Sequence, residues 1–182
     1  MPISTLHKKY FYWFASFVAL FIILLTFYFN LGGFEEIQTA VSKNNKYSLA
    51  GKEVQGKLTS KEEHFLFEEM KGYIADGTLS GTLSIINYKD DTLGDYESRR
   101  FVGILLENDV SMIPTGLQVL EIEGETTFQA ALTMHPLVMP NTEKVEGRLK
   151  LLADERGLTL RNYTLEKLYD DNSVIVEMFS EN

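Results

Sequence analysis

Residues 10–29, YFYWFASFVALFIILLTFYF, contain no charge, no proline and no glycine. A helix of about 20 residues rises roughly 30 Å, the hydrocarbon thickness of a bilayer, and closes its backbone hydrogen bonds internally. Aromatic side chains gather at both ends of the run, Tyr10, Tyr12 and Trp13 at one and Phe27, Tyr28 and Phe29 at the other. Amphipathic rings favour the headgroup region at those depths. The exit reads FNLGGF and offers no small-residue cleavage site, so the pattern predicts a retained transmembrane helix over 11–30.

After a short hinge at 31–33 the apolar positions take up shorter periods. Alternation at 34–41 and again at 47–54 predicts two strands separated by the turn-like KNNK. A helix follows, opened by the capping pair Ser60 and Glu63, with Leu66, Met70, Tyr73 and Ile74 on one face and a stop at Asp76-Gly77. Strands are expected at 82–88 and 101–107, joined by the polar KDDTLGDYESRR. The second half repeats the order. It has strands at 117–122 and 127–133, then a helix from Pro140-Asn141-Thr142 with Val145, Leu149 and Leu152 inward and Gly157 as its cap. Strands at 163–169 and 174–179 close it, separated by Asp170-Asp171-Asn172. The repeat predicts an α+β domain over 31–182, built from two similar units at about 34–108 and 115–181 related by pseudo-twofold symmetry.

Charge narrows the functional classes. Of 17 Lys and Arg and 26 Asp and Glu, only Lys8 and Lys9 precede the apolar helix, so everything after it is strongly acidic. Such a surface repels phosphate backbones, and a nucleic-acid partner is not expected. Lys8 and Lys9 before the helix, against Glu35 and Glu36 after it, place residues 1–10 in the cytoplasm and the domain across the membrane. The chain has no cysteine, which excludes thiol chemistry and disulfides. His7, His64 and His135 stand far apart, without metal-ligand spacing, and no G-x-S-x-G elbow is present. No metal, cofactor or catalytic set is therefore expected.

Three passages resemble the GyrI-like domain, the effector-binding domain of AraC-type regulators. IINYKDD followed by RRFVGILLE is similar to the family's I-Y-Y-D-[DN]-P and R-[FY]-x-V-G-V. TLEKLYDDNSVIVEMF resembles its [FY]-E-[IV]-Y-L-[ND]-[DN]-P run and closing T-E-[IL]-Y-I-P strand, and GLQVLEIEGETTFQAALTMHP resembles the opening of its second half. The likeness covers nearly all of 34–180, with Thr92 and Asn172 where the family has turn prolines. A single N-terminal helix before such a domain is also similar to the family's membrane-anchored eukaryotic members.

The resemblance implies two βαββ units facing each other across a groove that binds flat, lipophilic cations over a buried carboxylate. Carried over by position, it makes Glu166 the floor carboxylate, adds Glu177 from the last strand, and lines the walls with Tyr88, Phe101, Phe128 and Tyr163. The residues alone leave other readings open. Glu166 on an alternating strand also suits solvent or a pairing with Arg161, Glu177 also suits an edge-strand surface, and each aromatic also suits a core. Family members that hydrolyse strained rings use a groove tryptophan, whereas the single Trp13 here belongs to the apolar helix. The expectation is thus a tethered, non-enzymatic module for a small lipophilic and cationic molecule, held in the membrane through 11–29. The alternatives are a protein–protein adaptor using the groove or a strand edge and, behind it, a hydrolase of the GyrI-like type.

Overall fold

The computed structural model describes residues 5–57, 59–90, 92–94, 97–107 and 112–181. The first four residues, Asp91 and the expected end of the first half at 108 lie outside the described residues, as does the side chain of Ser60. The chain divides into two compact units.

One unit holds the N-terminal helix α1 (Thr5–Asn30), the residues up to Glu36 and the segment Met134–Met139. From Tyr10 to Asn30 the helix is long and apolar enough to cross a membrane, and its side chains are exposed all round. The expected hinge is a hydrogen-bonded turn. Leu31 and Gly33 donate to the carbonyls of Phe27 and Tyr28, and the Tyr28 ring lies where a Gly33 Cβ would stand. Phe34 packs its ring against Tyr28 at 5.0 Å and takes no part in a strand.

The other unit, Ile37–Thr133 with Pro140–Asn182, contains β1 (Gln38–Gly56), α2 (Ser60–Ala75), β2 (Gly81–Tyr88), β3 (Ser98–Leu106), β4 (Gln118–Leu132), α3 (Thr142–Asp154), β5 (Tyr163–Leu168) and β6 (Val174–Phe179). Six antiparallel strands form one sheet closed on itself in the order β1-β3-β2-β5-β6-β4. Two expectations need correction here. KNNK is not a turn, because Asn44 adopts the left-handed region at φ 56° inside a continuous β1. Asparagine tolerates that conformation better than most residues. In the same way 117–122 and 127–133 are one strand, β4, running through Gly124. The capping box of α2 also sits one residue earlier than expected. Thr59 Oγ1 accepts from the Glu62 N–H, while the Thr59 N–H donates to Glu62 Oε2.

Each strand buries both faces. The outer face of β2 and β3 packs Leu83, Ile85, Val102 and Ile104 against Met70, Leu66, Phe67 and Ile74 of α2. On β4 and β6, Phe128, Ala130, Val176 and Met178 are buried on the side where α3 contributes Val145, Leu149 and Ala153. The inner face holds Leu49, Ile86, Phe101, Ile122, Leu165 and Phe179, with Tyr47, Tyr88, Leu105, Leu120 and Tyr163 half-buried at its margins.

Close backbone approach makes room for the large rings. Gly51 and Gly103 are paired across β1 and β3, and the Phe101 ring occupies the space their side chains would need. A Cβ at Gly51 would lie 2.3 Å from the Val102 carbonyl oxygen and 2.8 Å from the Phe101 ring. Backbone cannot rotate away as a side chain can. Gly51→Ala is therefore expected to lower stability by about 1–3 kcal/mol, read as a shifted denaturation midpoint with an unchanged slope.

Candidate functional site

Alternation along β5 decides which side chains meet. Tyr163, Leu165 and Lys167 point to the inner face, while Thr164, Glu166 and Leu168 point outward. On β6 the inward set is Ile175, Glu177 and Phe179, with Glu177 opposite Leu165 and Gln129. Glu177 is fully buried, so the surface reading of this residue does not hold, and β6 is an interior strand between β5 and β4.

Glu177 is the centre of a polar cluster in the apolar inner face. Its Oε1 accepts from Lys167 Nζ at 2.7 Å, from Gln129 Nε2 at 2.7 Å and from the Tyr47 hydroxyl at 3.3 Å. Oε2 is buried with no hydrogen-bond partner. Lys167 is itself nearly buried, and its ammonium stands 4.1 Å from the Tyr47 ring centroid. Burial, and after it the Glu177 charge, holds the Tyr47 hydroxyl well above the usual tyrosine range, so it remains a proton donor at neutral pH.

A row of rings runs away from this cluster. Tyr47 meets Phe179 edge-on at 6.1 Å, Phe179 meets Tyr163 at 5.7 Å, and Tyr163 meets Tyr88 at 6.1 Å. The far end is closed by Arg99, whose guanidinium lies 4.8 Å from the Tyr88 centroid and whose Nε donates to Glu53. Arg161 donates to the Tyr163 hydroxyl at 3.2 Å and does not pair with Glu166. Burial raises the Tyr88 pKa, with Glu53 adding to it and Arg99 opposing it.

The six candidate residues fall on opposite faces. Tyr88, Phe101, Tyr163 and Glu177 share the inner face, whereas Glu166 and Phe128 lie on the outer one. Glu166 is thus not at the floor of the inner face. It sits one residue out of phase with Tyr163, accepts from Asn87 Nδ2 at 3.0 Å, and has Arg100 and Glu146 as its charged surroundings. Phe128 pairs with Met178 and carries the Arg156 guanidinium 5.8 Å from its ring centroid.

Three members of the inner cluster, Tyr47, Gln129 and Lys167, went unread in the sequence. For Lys167 a signal existed, because period-two counting from Tyr163 reaches it directly and excludes Glu166. Tyr47 and Gln129 carried no such signal, since the alternation slips by one residue near Asn44 and Gly124. In β1 Tyr47 faces inward after the slip; in β4 Ile122 faces inward before it, and Thr127 and Gln129 after it.

The outward position of Glu166 has a testable consequence. Burial is the main cause raising its pKa, against the opposing Arg100 charge. The folded state therefore binds the proton more tightly than the unfolded one, and stability falls as pH rises from the unfolded carboxylate value through the raised folded value. Glu166→Gln is expected to match wild type below that window and to exceed it above, as seen in melts at a series of pH values.

Neither a protein-family model nor a curated protein matches the chain. Among solved structures it is similar to EcmrR in a complex with DNA, at 12% identity and a TM-score of 0.57, over 96% of this chain and 70% of that one. The crystal structure of the EcmrR C-terminal domain matches at 13% identity and a TM-score of 0.52, over 80% of this chain and 98% of that one. A hydrolase encoded by lin2189 from Listeria innocua matches at 10% identity and a TM-score of 0.53, over 85% and 98%. At such identities the likeness is one of fold.

Proposed function

We propose that this chain is a membrane-tethered binding module whose barrel unit captures a small lipophilic molecule at the tyrosine-lined part of its inner face. The observation that carries the reading is the row Tyr47, Phe179, Tyr163 and Tyr88, which starts beside the buried Glu177–Lys167 pair. A barrel shaped for packing alone would fill such positions with Leu, Ile, Val and Phe. Half-buried tyrosines offer flat apolar surface together with polar tips, the mixture typical of ligand sites. A buried ion pair seldom stabilises a fold relative to apolar packing, which favours a task for this one.

In this reading the two strand–helix–strand–strand halves, within a domain over 31–182, are a duplication about a pseudo-twofold axis. The pairings support it, since the strand neighbours are unchanged when β1, β2 and β3 are exchanged for β4, β5 and β6. The site consists of Glu177, Tyr88 and Tyr163 with Tyr47, Phe179 and Lys167, and Phe101 forms its apolar base; Glu166 and Phe128 lie outside it. The resemblance implies a cationic ligand over Glu166, but Glu166 lies on the outer face and the inner-face Glu177 already holds an ammonium. Lipophilic and aromatic character is what the tyrosine row itself supports. Three donors on Oε1, the Lys167 ammonium among them, fix the Glu177 carboxylate in place and leave Oε2 as an acceptor for a ligand's donor. Every strand has a neighbour on both sides, which disfavours an adaptor that adds a partner strand to an edge.

The lysines before α1 and the glutamates after it support a cytoplasmic N-terminus with the barrel unit across the membrane. Protease added to sealed cells should then digest the barrel unit, and its full protection would reverse the orientation. The binding site is tested by screening planar aromatic compounds against the full chain in non-ionic micelles. Tyr163→Ala is expected to weaken any saturable ligand about tenfold or more, because the ring is central to the row. An unchanged affinity would place the ligand elsewhere.

A further inference from the structure

Lys167 does more than satisfy Glu177. Its ammonium occupies two positions that a cationic ligand would need, 2.7 Å from the carboxylate and 4.1 Å from the Tyr47 ring centroid. At the other end of the ring row, Arg99 covers Tyr88 at 4.8 Å. The cation-accepting faces at both ends are therefore taken by the protein's own side chains. Within the cluster Glu177 Oε2 is an acceptor buried without a partner.

We infer that Lys167 is a tethered cation that sets the specificity of the inner-face site, making it select uncharged aromatic molecules and exclude permanent cations. The inference rests on the proposed binding function and deepens it by assigning the ligand's charge. A cation entering beside Glu177 meets the Lys167 ammonium at short range in a weakly screened interior, where like charges repel strongly. It must also displace that ammonium from the Tyr47 face, losing one cation–π contact to gain another. A neutral ring system meets neither cost. It can stack on the half-buried Tyr163, and a donor group on it can satisfy Glu177 Oε2. Taking away the lysine charge inverts the preference, because Glu177 is then a buried carboxylate with neutral partners only.

The test uses two probes with the same three-ring frame, acridine at a pH where it is uncharged and 10-methylacridinium, a permanent cation. Each is titrated by fluorescence into the full chain in non-ionic micelles, with empty micelles as the partition control. Wild type is expected to bind acridine about tenfold or more tightly than methylacridinium. Lys167→Gln keeps a donor toward Glu177 and is expected to shift the ratio of methylacridinium to acridine affinity by about tenfold or more toward the cation. A melt of the variant confirms that it is folded, and the wild-type preference stands as a separate test if it is not. Equal affinities for both probes in wild type, or a variant with the wild-type ratio, would overturn the role of Lys167 and leave the binding function intact. Saturable binding of neither probe would count against both the function and its specificity.

Discussion

Replacing Glu177 with Gln is expected to destabilise the barrel unit by about 3–5 kcal/mol, the usual result of breaking a buried ion pair from one side. Almost nothing of either side chain reaches solvent, with 1% of the Glu177 side chain and 9% of the Lys167 side chain exposed. The Gln variant keeps the shape but leaves the ammonium in an apolar interior with no counter-charge. Lys167→Met should cost a similar amount by stranding the carboxylate, whose Oε2 already lacks a partner. The double change Glu177→Gln with Lys167→Met removes both charges, and it should recover most of the loss or pass wild-type stability. Denaturant titration of the four proteins closes this cycle. Additive losses in the double variant would mean that the two residues do not act as a pair.

The second large effect concerns α1. The full chain is expected to stay with the membrane through high salt and alkaline carbonate, because its retention is hydrophobic and not ionic. Every side chain from Tyr10 to Asn30 is exposed, so in water this helix would present its whole apolar surface to solvent. Leu20 and Ile23 lie near the middle of the run. An arginine at the centre of a spanning helix costs roughly 2.5–3.5 kcal/mol on insertion scales, so Leu20→Arg with Ile23→Arg is worth roughly 5–7 kcal/mol against insertion. The double arginine variant should move to the carbonate-soluble or aggregated fraction. Wild-type chain released by carbonate would remove the tether from the account.

Local pattern carried much of the architecture because the elements concerned are governed by near neighbours. The apolar helix, the α2 and α3 faces around Met70 and Leu149, and the strands ending at Tyr88 and Phe179 could all be read within a window of some ten residues. The failures share a different origin. Asn44 and Gly124 look like turn residues, and only pairing with each other's strand keeps β1 and β4 continuous across them. The same two places shift the inward phase of both strands, which hid Tyr47 and Gln129. The family motif points to Glu166, although that residue alternates against Tyr163 in the same strand and Lys167 does not. A one-residue slip in a strand exchanges its faces, so motif alignment is least secure where burial matters most. The contact from the Tyr47 hydroxyl to Glu177 joins residues 130 apart in the chain, and nothing local to either announces the other.

The central claim, that the inner face of the barrel holds the ligand, can be read residue by residue with methyl-labelled chain in micelles. Leu49, Ile86 and Leu165 report on the inner face, while Leu83, Ile85 and Val102 report on the outer face under α2. Saturation with a probe that binds the wild type and is weakened by Tyr163→Ala should shift the Leu49, Ile86 and Leu165 methyl signals and leave the outer set in place. Shifts centred on Leu83, Ile85 and Val102, with the inner methyls unmoved, would contradict the account and put the ligand between sheet and helix.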